Sequence, residues 1–187
     1  MLVETARLTL CAFDAGDIDL LAELDSDPAV MRYITGGRTT PRSEIEDDIL
    51  PAFLSYYNRF DGYGFWAAIE TETQEFVGWF HLRPASGAPD DEPELGYRLR
   101  RSVWGRGLAT EGARALIEVA FARLGARRVV AETMAVNAAS RGVMENAGMT
   151  LIREFHQEWP YRIEGDDLGD VEYAITRSGW LAAHAGE

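Results

Sequence analysis

Apolar residues recur along this chain at two different spacings, and together the spacings predict a mixed α/β fold. Short apolar or alternating runs are typical of strands, whereas apolar positions three and four residues apart are typical of helices. The first spacing predicts strands over residues 7–13, 65–70, 76–83, 94–99, 128–133, 149–155 and 171–176. Helical patterns follow the first strand and flank the fifth. This order favours a largely antiparallel sheet with helices around it.

Three shorter helical patterns accompany these strands. Asp14 is the predicted N-cap of a helix that ends near Asp25. A four-residue apolar repeat follows at Ile45, Ile49, Phe53 and Tyr57. Because Pro51 interrupts this repeat, it predicts two short helices at an angle. Residues 138–147 carry a last short helical pattern, which Gly148 ends.

The most regular helical pattern directly follows a glycine-rich turn, in VWGRGLATEGARALIEVAFARLG over residues 103–125. One face of this helix carries Ala113, Leu116, Ile117, Ala120, Phe121 and Leu124. The first backbone N–H groups of a helix have no partner within the helix, and the helix dipole is positive at this end. Small residues also let a ligand approach the backbone closely. The segment therefore predicts a site for a phosphate group.

Composition limits the class of protein. The chain has 187 residues, 47% apolar and 26% charged, which is typical of one globular domain over residues 1–187. No apolar run approaches the roughly 20 residues that span a bilayer, and MLVETARLTL lacks the pattern of a signal peptide. We therefore predict a cytoplasmic protein without membrane contact. With a single cysteine, Cys11, and no Cys/His cluster at zinc-site spacing, neither an internal disulfide nor a metal is predicted.

The charge of the chain narrows its partners and the type of phosphate site. The formal net charge is −13, from 31 acidic and 18 basic residues, so no nucleic-acid partner is predicted and a cation would be attracted. All the basic residues are arginine, which rules out a Walker A loop and Schiff-base chemistry. A dinucleotide fingerprint fits poorly, because Thr110 replaces its last small residue and the turn lies in mid-chain. The third interpretation is a turn that holds the pyrophosphate of an acyl-CoA.

Two adjoining segments carry a family resemblance. ELGYRLRRSVWGRGLATEGARALI and VVAETMAVNAASRGVMENAGMTLIREF together resemble the core of the GNAT superfamily of acyl-CoA N-acyltransferases. They are most similar to the branch that contains the RimJ and RimL ribosomal-protein alanine N-acetyltransferases. The resemblance rests on the glycine turn, on Asn137 and Ser140 in an N-x-x-S pattern, and on the NAGM turn at these separations. It covers residues 94–155 strongly and the tail DVEYAITRSGW moderately, and it matches the N-terminal half in element order.

The resemblance implies a fold and a reaction. The fold is a mixed, mostly antiparallel sheet of about seven strands with flanking helices, splayed between the fourth and fifth strands. The reaction is transfer of an acetyl group from acetyl-CoA to a primary amine by direct attack, without a metal. Cys11 is then not needed as a nucleophile, and we expect it to be a buried small side chain in the first strand. The implied protein is a monomer or a homodimer.

The resemblance also implies which residues hold acetyl-CoA. They are Leu99, Arg101, Trp104, Gly105, Arg106, Gly107, Leu108, Ala109, Thr110, Asn137 and Ser140. Trp104 departs from the Gln or Arg of the family pattern, although this branch tolerates aromatic residues there. Asn137 is implied to contact the pantetheine arm, and Ser140 to lie near the thioester sulfur as proton donor; alternatively, one of them simply caps a helix. Met144 stands where many relatives have a tyrosine, so Ser140 or a water would supply the proton.

The reaction also needs a group that takes a proton from the attacking amine. Glu94 is the first candidate, because it opens the strand that is implied to splay from the next one. Glu132 on the facing strand is the second candidate. His81 is a further one, because histidine titrates in the right range. Each of these residues is also explained by an ordinary solvated or packed position in a strand.

The acceptor is predicted from charge and from the resemblance. Acidic segments at residues 43–48, 89–94 and 163–170 lie where the family builds its acceptor pocket, and they either attract a cation or form a solvated surface. Phe65, Trp66, Trp79 and Trp159 could line the pocket or belong to the core. The predicted acceptor is a cationic amine, first a peptide or protein N-terminal α-amine and alternatively an aminoglycoside or polyamine. The alternative from a different class is a non-catalytic acyl-CoA sensor domain.

Overall fold

One eight-stranded sheet organises the part of the chain that the computed structural model describes, residues 2–84, 87 and 89–185. Its strands are β1 Val3–Glu4, β2 Leu8–Ala12, β3 Gly64–Glu70, β4 Phe76–Pro84, β5 Pro93–Leu99, β6 Arg128–Met134, β7 Thr150–Phe155 and β8 Asp170–Thr176. They lie in the order β1-β2-β3-β4-β5-β6-β8-β7. All neighbours are antiparallel except β5 and β6, which are parallel. The mixed, mostly antiparallel fold is as predicted, with β1 as an additional strand.

Helices fill the connections between the strands. They are α1 Ile18–Asp25, α2 Arg32–Thr35, α3 Arg42–Glu44, α4 Leu50–Arg59, α5 Leu108–Ala122, α6 Ala138–Asn146 and α7 Arg177–His184. A π-helical turn, Ile45–Ile49, joins α3 to α4, and 3-10 turns lie at Arg101–Val103 and Asp166–Leu168. Within the described residues, no helix is both long and apolar enough to cross a membrane.

One helix cap was predicted at the wrong residue, and the break predicted at Pro51 is replaced by an irregular turn between two short α-helices. The segment around Pro51 stays helical from residue 42 to residue 59, because the π-helical turn precedes the proline and Pro51 lies in the first turn of α4. The helix reaches the proline without a gap, because the Leu50 N–H donates to the Ile45 carbonyl across the π-helical turn; Pro51, the second residue of α4, has no N–H to donate. Asp14 is not the N-cap of α1, which is Asp17. The Asp14 carboxylate instead accepts a hydrogen bond of 2.6 Å from the N–H of Gly16.

The sheet opens between its two parallel strands. β5 and β6 are paired at one position, Glu94 with Val130, and the rest of β5 has no recorded partner in β6. These two strands are the predicted fourth and fifth, so the predicted splay is confirmed. The glycine turn leaves the open end of β5, and α6 follows the open end of β6. The cleft therefore lies between the two segments that the sequence assigned to acetyl-CoA.

A separate hydrophobic core covers each face of the sheet. One core joins α5 and α6 to the sheet through residues such as Leu95, Phe80 and Phe121. The other joins α1 and α4 to the opposite face through Phe53, Phe65 and Trp79. Because side chains alternate along a strand, β5 sends Leu95, Tyr97 and Leu99 to the first face and Glu94, Gly96 and Arg98 to the second. Trp66 belongs to the α5 core and so does not line a pocket on the α4 face.

Candidate active site

The glycine turn has the backbone shape that an anion site requires. Gly105 and Gly107 have φ angles of 73° and 79°, which side chains disfavour. Gly107 is the N-cap of α5, and the first helical hydrogen bond runs from Glu111 N–H to its carbonyl at 3.0 Å. The N–H groups of Leu108, Ala109 and Thr110 precede that bond and have no helical partner. A Cβ built on Gly105 meets nothing within 4 Å, so the turn is open at this glycine.

A polar network holds the turn against β1 and β2. Arg7 donates from Nη1 to the Arg106 carbonyl at 2.8 Å and from Nε to Glu111 Oε2 at 2.6 Å. Thr5 donates its hydroxyl to Glu111 Oε1 at 2.6 Å. Burial would raise the pKa of Glu111, but the hydrogen bonds from Thr5 and Arg7 outweigh it and hold the pKa below its usual value. The turn is thus preorganised by charged groups that the sequence patterns did not single out.

Three side chains of the turn that were predicted to hold acetyl-CoA contact other parts of the protein. Arg106 pairs with Glu70, which is buried, so its charge is already compensated. Arg101 is mostly exposed, and its Nε lies 3.9 Å from Asp27. The indole N–H of Trp104 donates to the Leu99 carbonyl at 2.9 Å. What the turn offers to a pyrophosphate is therefore chiefly backbone, as expected from its small residues.

Of the two residues that the sequence offered as helix caps, the structure has Asn137 in that position. Asn137 is the N-cap of α6: its Oδ1 accepts from the N–H of Ser140 at 3.2 Å, and its Nδ2 donates to Thr133 Oγ1 at 3.1 Å. The hydroxyl of Ser140 takes no part in capping. It lies 3.0 Å from the hydroxyl oxygen of Tyr97 in β5.

Tyr97 is the residue that sequence reasoning missed. Its hydroxyl donates to the Ser140 carbonyl at 2.9 Å and contacts Ser140 Oγ, while burial raises the pKa of Tyr97 to about 12. Met144, where a tyrosine was sought, is buried in the α5 core. A tyrosine hydroxyl is thus present beside Ser140, but it comes from the strand instead of the helix. Because side chains alternate along a strand, Tyr97 lies on the same face of β5 as Leu95 and Leu99, the face that α6 covers. This alternation was the signal in the sequence that could have identified it.

Glu94 lies in a compact polar cluster on the α4 face. Arg83 Nη2 is 3.1 Å from Glu94 Oε2, and His81 Nε2 is 3.7 Å from Glu94 Oε1. Burial raises the pKa of Glu94, but His81 and the fixed positive charge of Arg83 outweigh it, so the pKa lies below its usual value. The His81 ring covers Gly96, where an added Cβ would lie 2.5 Å from Nε2. Glu94 is therefore an ionised but weak base.

Glu132 has the opposite electrostatic setting. Burial and the nearby carboxylates of Glu94 and Glu172 raise the pKa of Glu132, and Arg153, 3.7 Å away, opposes them only partly. Arg153 is held instead by Glu172, at 2.6 Å. A raised pKa makes a carboxylate a better proton acceptor near neutral pH. The electrostatics thus favour Glu132 over Glu94 as the base, the reverse of the order predicted from sequence.

Two of the three acidic segments are largely engaged within the protein. Asp91 and Glu92, from residues 89–94, form ion pairs with Arg127 and Arg128. In residues 163–170, Asp166 accepts from the N–H of Ile163 at 3.3 Å, and the buried Asp170 accepts from Gln157. The acidic residues of the third segment, Glu44, Glu46, Asp47 and Asp48, are exposed. Two of the segments thus carry less free negative charge than the sequence suggests.

Cys11 is not part of the site. It lies in β2 and packs against the α4 core, half-buried, with Sγ 3.8 Å from the Ala67 carbonyl oxygen. Burial raises the pKa of this thiol, which keeps it protonated. A protonated thiol is a poor nucleophile. Its place in the first predicted strand matches the expectation, although it is less buried than expected.

His81 makes the stability of the fold sensitive to mild acid. Burial holds its pKa below 6.5, so the unfolded chain binds more protons than the folded chain below that pH. We expect the free energy of unfolding to fall as pH decreases from 6.5, before carboxyl groups titrate. His81→Gln should flatten this part of the profile, measured by urea unfolding at several pH values. Equal slopes for the two proteins would contradict the assignment.

Comparison with known proteins identifies the family. A family model described as an acetyltransferase (GNAT) domain matches residues 7–150 of this chain. The chain belongs to the GNAT acetyltransferases. FsC-acetyl coenzyme A-N(2)-transacetylase from Aspergillus fumigatus is 35% identical over 186 residues, covering 96% of this chain and 77% of that protein. The protein is accordingly an acetyl-CoA-dependent N-acetyltransferase.

Solved structures of this GNAT fold carry different acceptor names. RimL, named as a ribosomal L7/L12 α-N-protein acetyltransferase in complex with coenzyme A, has a TM-score of 0.74 at 22% identity, with 94% of this chain and 98% of that chain covered. The aminoglycoside acetyltransferase AAC(6')-Ib, also with coenzyme A, has a TM-score of 0.73 at 19% identity, with coverage of 95% and 99%. These similarities establish the fold of the acetyltransferase, and the fold is shared by enzymes with unlike acceptors.

Proposed function

We propose that this acetyltransferase acetylates an α-amino group by direct attack of the amine nitrogen on the thioester carbon of acetyl-CoA. The C–N bond forms as the C–S bond breaks, and CoA leaves as a thiolate. One proton must leave the nitrogen, and one must reach the sulfur. The site therefore needs a base and a proton donor at different positions.

The observation that carries this proposal is the placement of carboxylates and hydroxyls on opposite faces of one opening in the sheet. Glu94 lies 3.7 Å from His81, whose ring stacks on Trp79 and meets Phe65 edge to face on the α4 face. Glu132 alternates with the core residue Ala131 and so lies on the same face as Glu94. Tyr97 and Ser140 meet on the α6 side. An amine that enters from the α4 face would meet the carboxylates, and the thiolate would leave beside the hydroxyls.

The strength of the candidate bases favours an α-amino group as acceptor. An α-amino group has a pKa of about 7.7–8.0, whereas a lysine amine has a pKa of about 10.4 and is almost fully protonated at neutral pH. The pKa of Glu132 is raised but remains that of a carboxylate, and burial lowers the pKa of His81. Such groups can accept a proton relayed from an α-amine. A relative at 35% identity is named as a transacetylase for an N(2) nitrogen, so a nitrogen acceptor also stands in its name.

An acceptor panel tests the proposal. Wild-type enzyme and acetyl-CoA are combined with four acceptors in separate reactions. The acceptors are an Ala-initiated peptide, an N-formylated form of this peptide that contains one lysine, a polyamine and an aminoglycoside. We expect release of free CoA thiol with the unblocked peptide, and mass spectrometry should place the acetyl group on its α-nitrogen. Acetylation of side-chain or polyamine nitrogens alone would overturn the α-amine acceptor.

A further inference from the structure

The Tyr97 hydroxyl makes two contacts with Ser140. One tyrosine oxygen lies within hydrogen-bond distance of two oxygens of the same serine, 2.9 Å from the carbonyl and 3.0 Å from Oγ. Phe80 packs near the tyrosine ring with a centroid distance of 6.1 Å, and the ring belongs to the margin of the α5 core. The hydroxyl is thus fixed by its ring on one side and by the first turn of α6 on the other. It can donate to either serine oxygen by rotation about its C–O bond.

We propose that Tyr97 is a positioning residue for proton delivery, which sets the hydrogen of the Ser140 hydroxyl and supplies a proton through it to the departing CoA thiolate. When Tyr97 donates to the Ser140 carbonyl, its oxygen can accept from Ser140 Oγ. When Tyr97 turns to donate to Oγ, the serine hydrogen is released toward the cleft. The two serine oxygens therefore define two states of one relay. This inference rests on the proposed function of the site.

The relay explains how a serine can give a proton to the departing thiolate. A serine hydroxyl alone is a very weak acid, whereas the Tyr97 phenol, even with its pKa raised by burial to about 12, ionises more readily than a serine and is protonated at neutral pH. As Ser140 gives its proton to sulfur, Tyr97 gives its own proton to Ser140 Oγ, and the tyrosinate is reprotonated by the proton that left the amine, through solvent. The thioester and amine become an amide and a thiol, with no net gain or loss of protons. No other reactant is required.

The test compares two acyl donors that differ only in the acidity of the leaving group. Tyr97→Phe keeps the ring and removes the hydroxyl. Single-turnover rates are measured with acetyl-CoA and with the acetyl selenoester of CoA, whose selenol is a much stronger acid and leaves without help. With acetyl-CoA we expect a rate about 10- to 100-fold lower than wild type, as for loss of a charge-assisted hydrogen bond, with unchanged CoA affinity. With the selenoester the deficit should almost disappear.

Tyr173→Phe is the matched control. The Tyr173 hydroxyl also holds α6, because it donates to Glu145 at 2.7 Å and accepts from Arg141 at 3.1 Å, but it does not touch Ser140. It should lower the melting temperature at least as much as Tyr97→Phe without changing the ratio of the two donor rates. In a Ser140→Ala background, removing the Tyr97 hydroxyl should cost little further rate.

Three outcomes would overturn the relay. They are equal deficits with both donors, a deficit in Tyr173→Phe that depends on the donor, or additive losses in the double variant. The assay uses any amine that the wild-type enzyme acetylates. A different acceptor in the panel would thus overturn the α-amine proposal and leave the test of Tyr97 intact.

Discussion

Replacing Gly105 with Asp is expected to weaken CoA binding by at least about 100-fold. The Cβ at this position points into open space on the turn that leads into α5, so the carboxylate would add a negative charge to the segment proposed to hold the pyrophosphate. Two like charges 4 Å apart near a protein surface repel by about 4 kcal/mol, and each 1.4 kcal/mol is tenfold in affinity. Isothermal titration with CoA measures the loss. Wild type should also gain about 2.7 kcal/mol of stability at a hundredfold excess of CoA over Kd, and the variant should not.

Gly105→Ala is the control for backbone strain. The φ of 73° penalises any side chain, by about 1 kcal/mol, and alanine bears this cost without adding charge. Its CoA affinity should stay within about tenfold of wild type. Gly107 is a poorer position for the test, because a Cβ there lies 3.5 Å from Arg7 Nη2, which would neutralise an introduced carboxylate. Equal affinities for Gly105→Asp and wild type would remove the pyrophosphate from this turn.

The parts of the fold that follow from local patterns were predicted from sequence. The seven predicted strands and the long helix after the glycine turn have enough residues for a periodicity to appear. β1 has two residues and α2 has four, so neither offers a pattern, and both depend on contacts made elsewhere. The error at Pro51 has a different origin. A proline within an apolar repeat has the same sequence signal whether the helix breaks there or whether a new α-helical turn begins there after a π-helical turn.

The parts of the candidate site that could be predicted are those formed by residues close together in the sequence. The N–H donors before Glu111 and the cap at Asn137 come from adjacent residues, so spacing indicates them. The pairing of Arg106 with Glu70 spans 36 positions, and that of Tyr97 with Ser140 spans 43. Such contacts exist only once strands and helices pack. Sequence alone therefore assigned Arg106 to the ligand and left Tyr97 out.

The relative strength of the two carboxylates depends on the same long-range packing. Glu94 and Glu132 are both acidic residues in strands, and nothing in their local sequence separates them. In the folded chain Arg83 lies 3.1 Å from Glu94, whereas Glu132 is influenced by nearby carboxylates that Arg153, at 3.7 Å, only partly offsets. The pKa of Glu94 falls and that of Glu132 rises as a result. This difference leads to the second large expected effect.

Glu132→Gln should lower kcat/KM for the amine by about 100-fold or more, because general-base catalysis contributes about 10²–10⁴-fold. The amide keeps the shape of the side chain and relieves the repulsion from Glu94 and Glu172, so the melting temperature should stay equal or rise. Affinity for CoA should not change. The wild-type rate should decline as pH falls through the raised pKa of Glu132, and the variant should lose this limb of the profile, measured from thiol release at limiting amine.

Glu94→Gln is the matched variant on the neighbouring strand. It removes the carboxylate that pairs with Arg83 and leaves that guanidinium without compensation on the α4 face, so it should cost stability more than rate. We expect its kcat/KM to fall by about tenfold or less, with the acidic limb of the pH profile retained, because Glu132 would still accept the proton. If Glu94→Gln were instead the slower enzyme and abolished that limb, the low-pKa carboxylate beside His81 would be the base, and the electrostatic argument for Glu132 would be wrong.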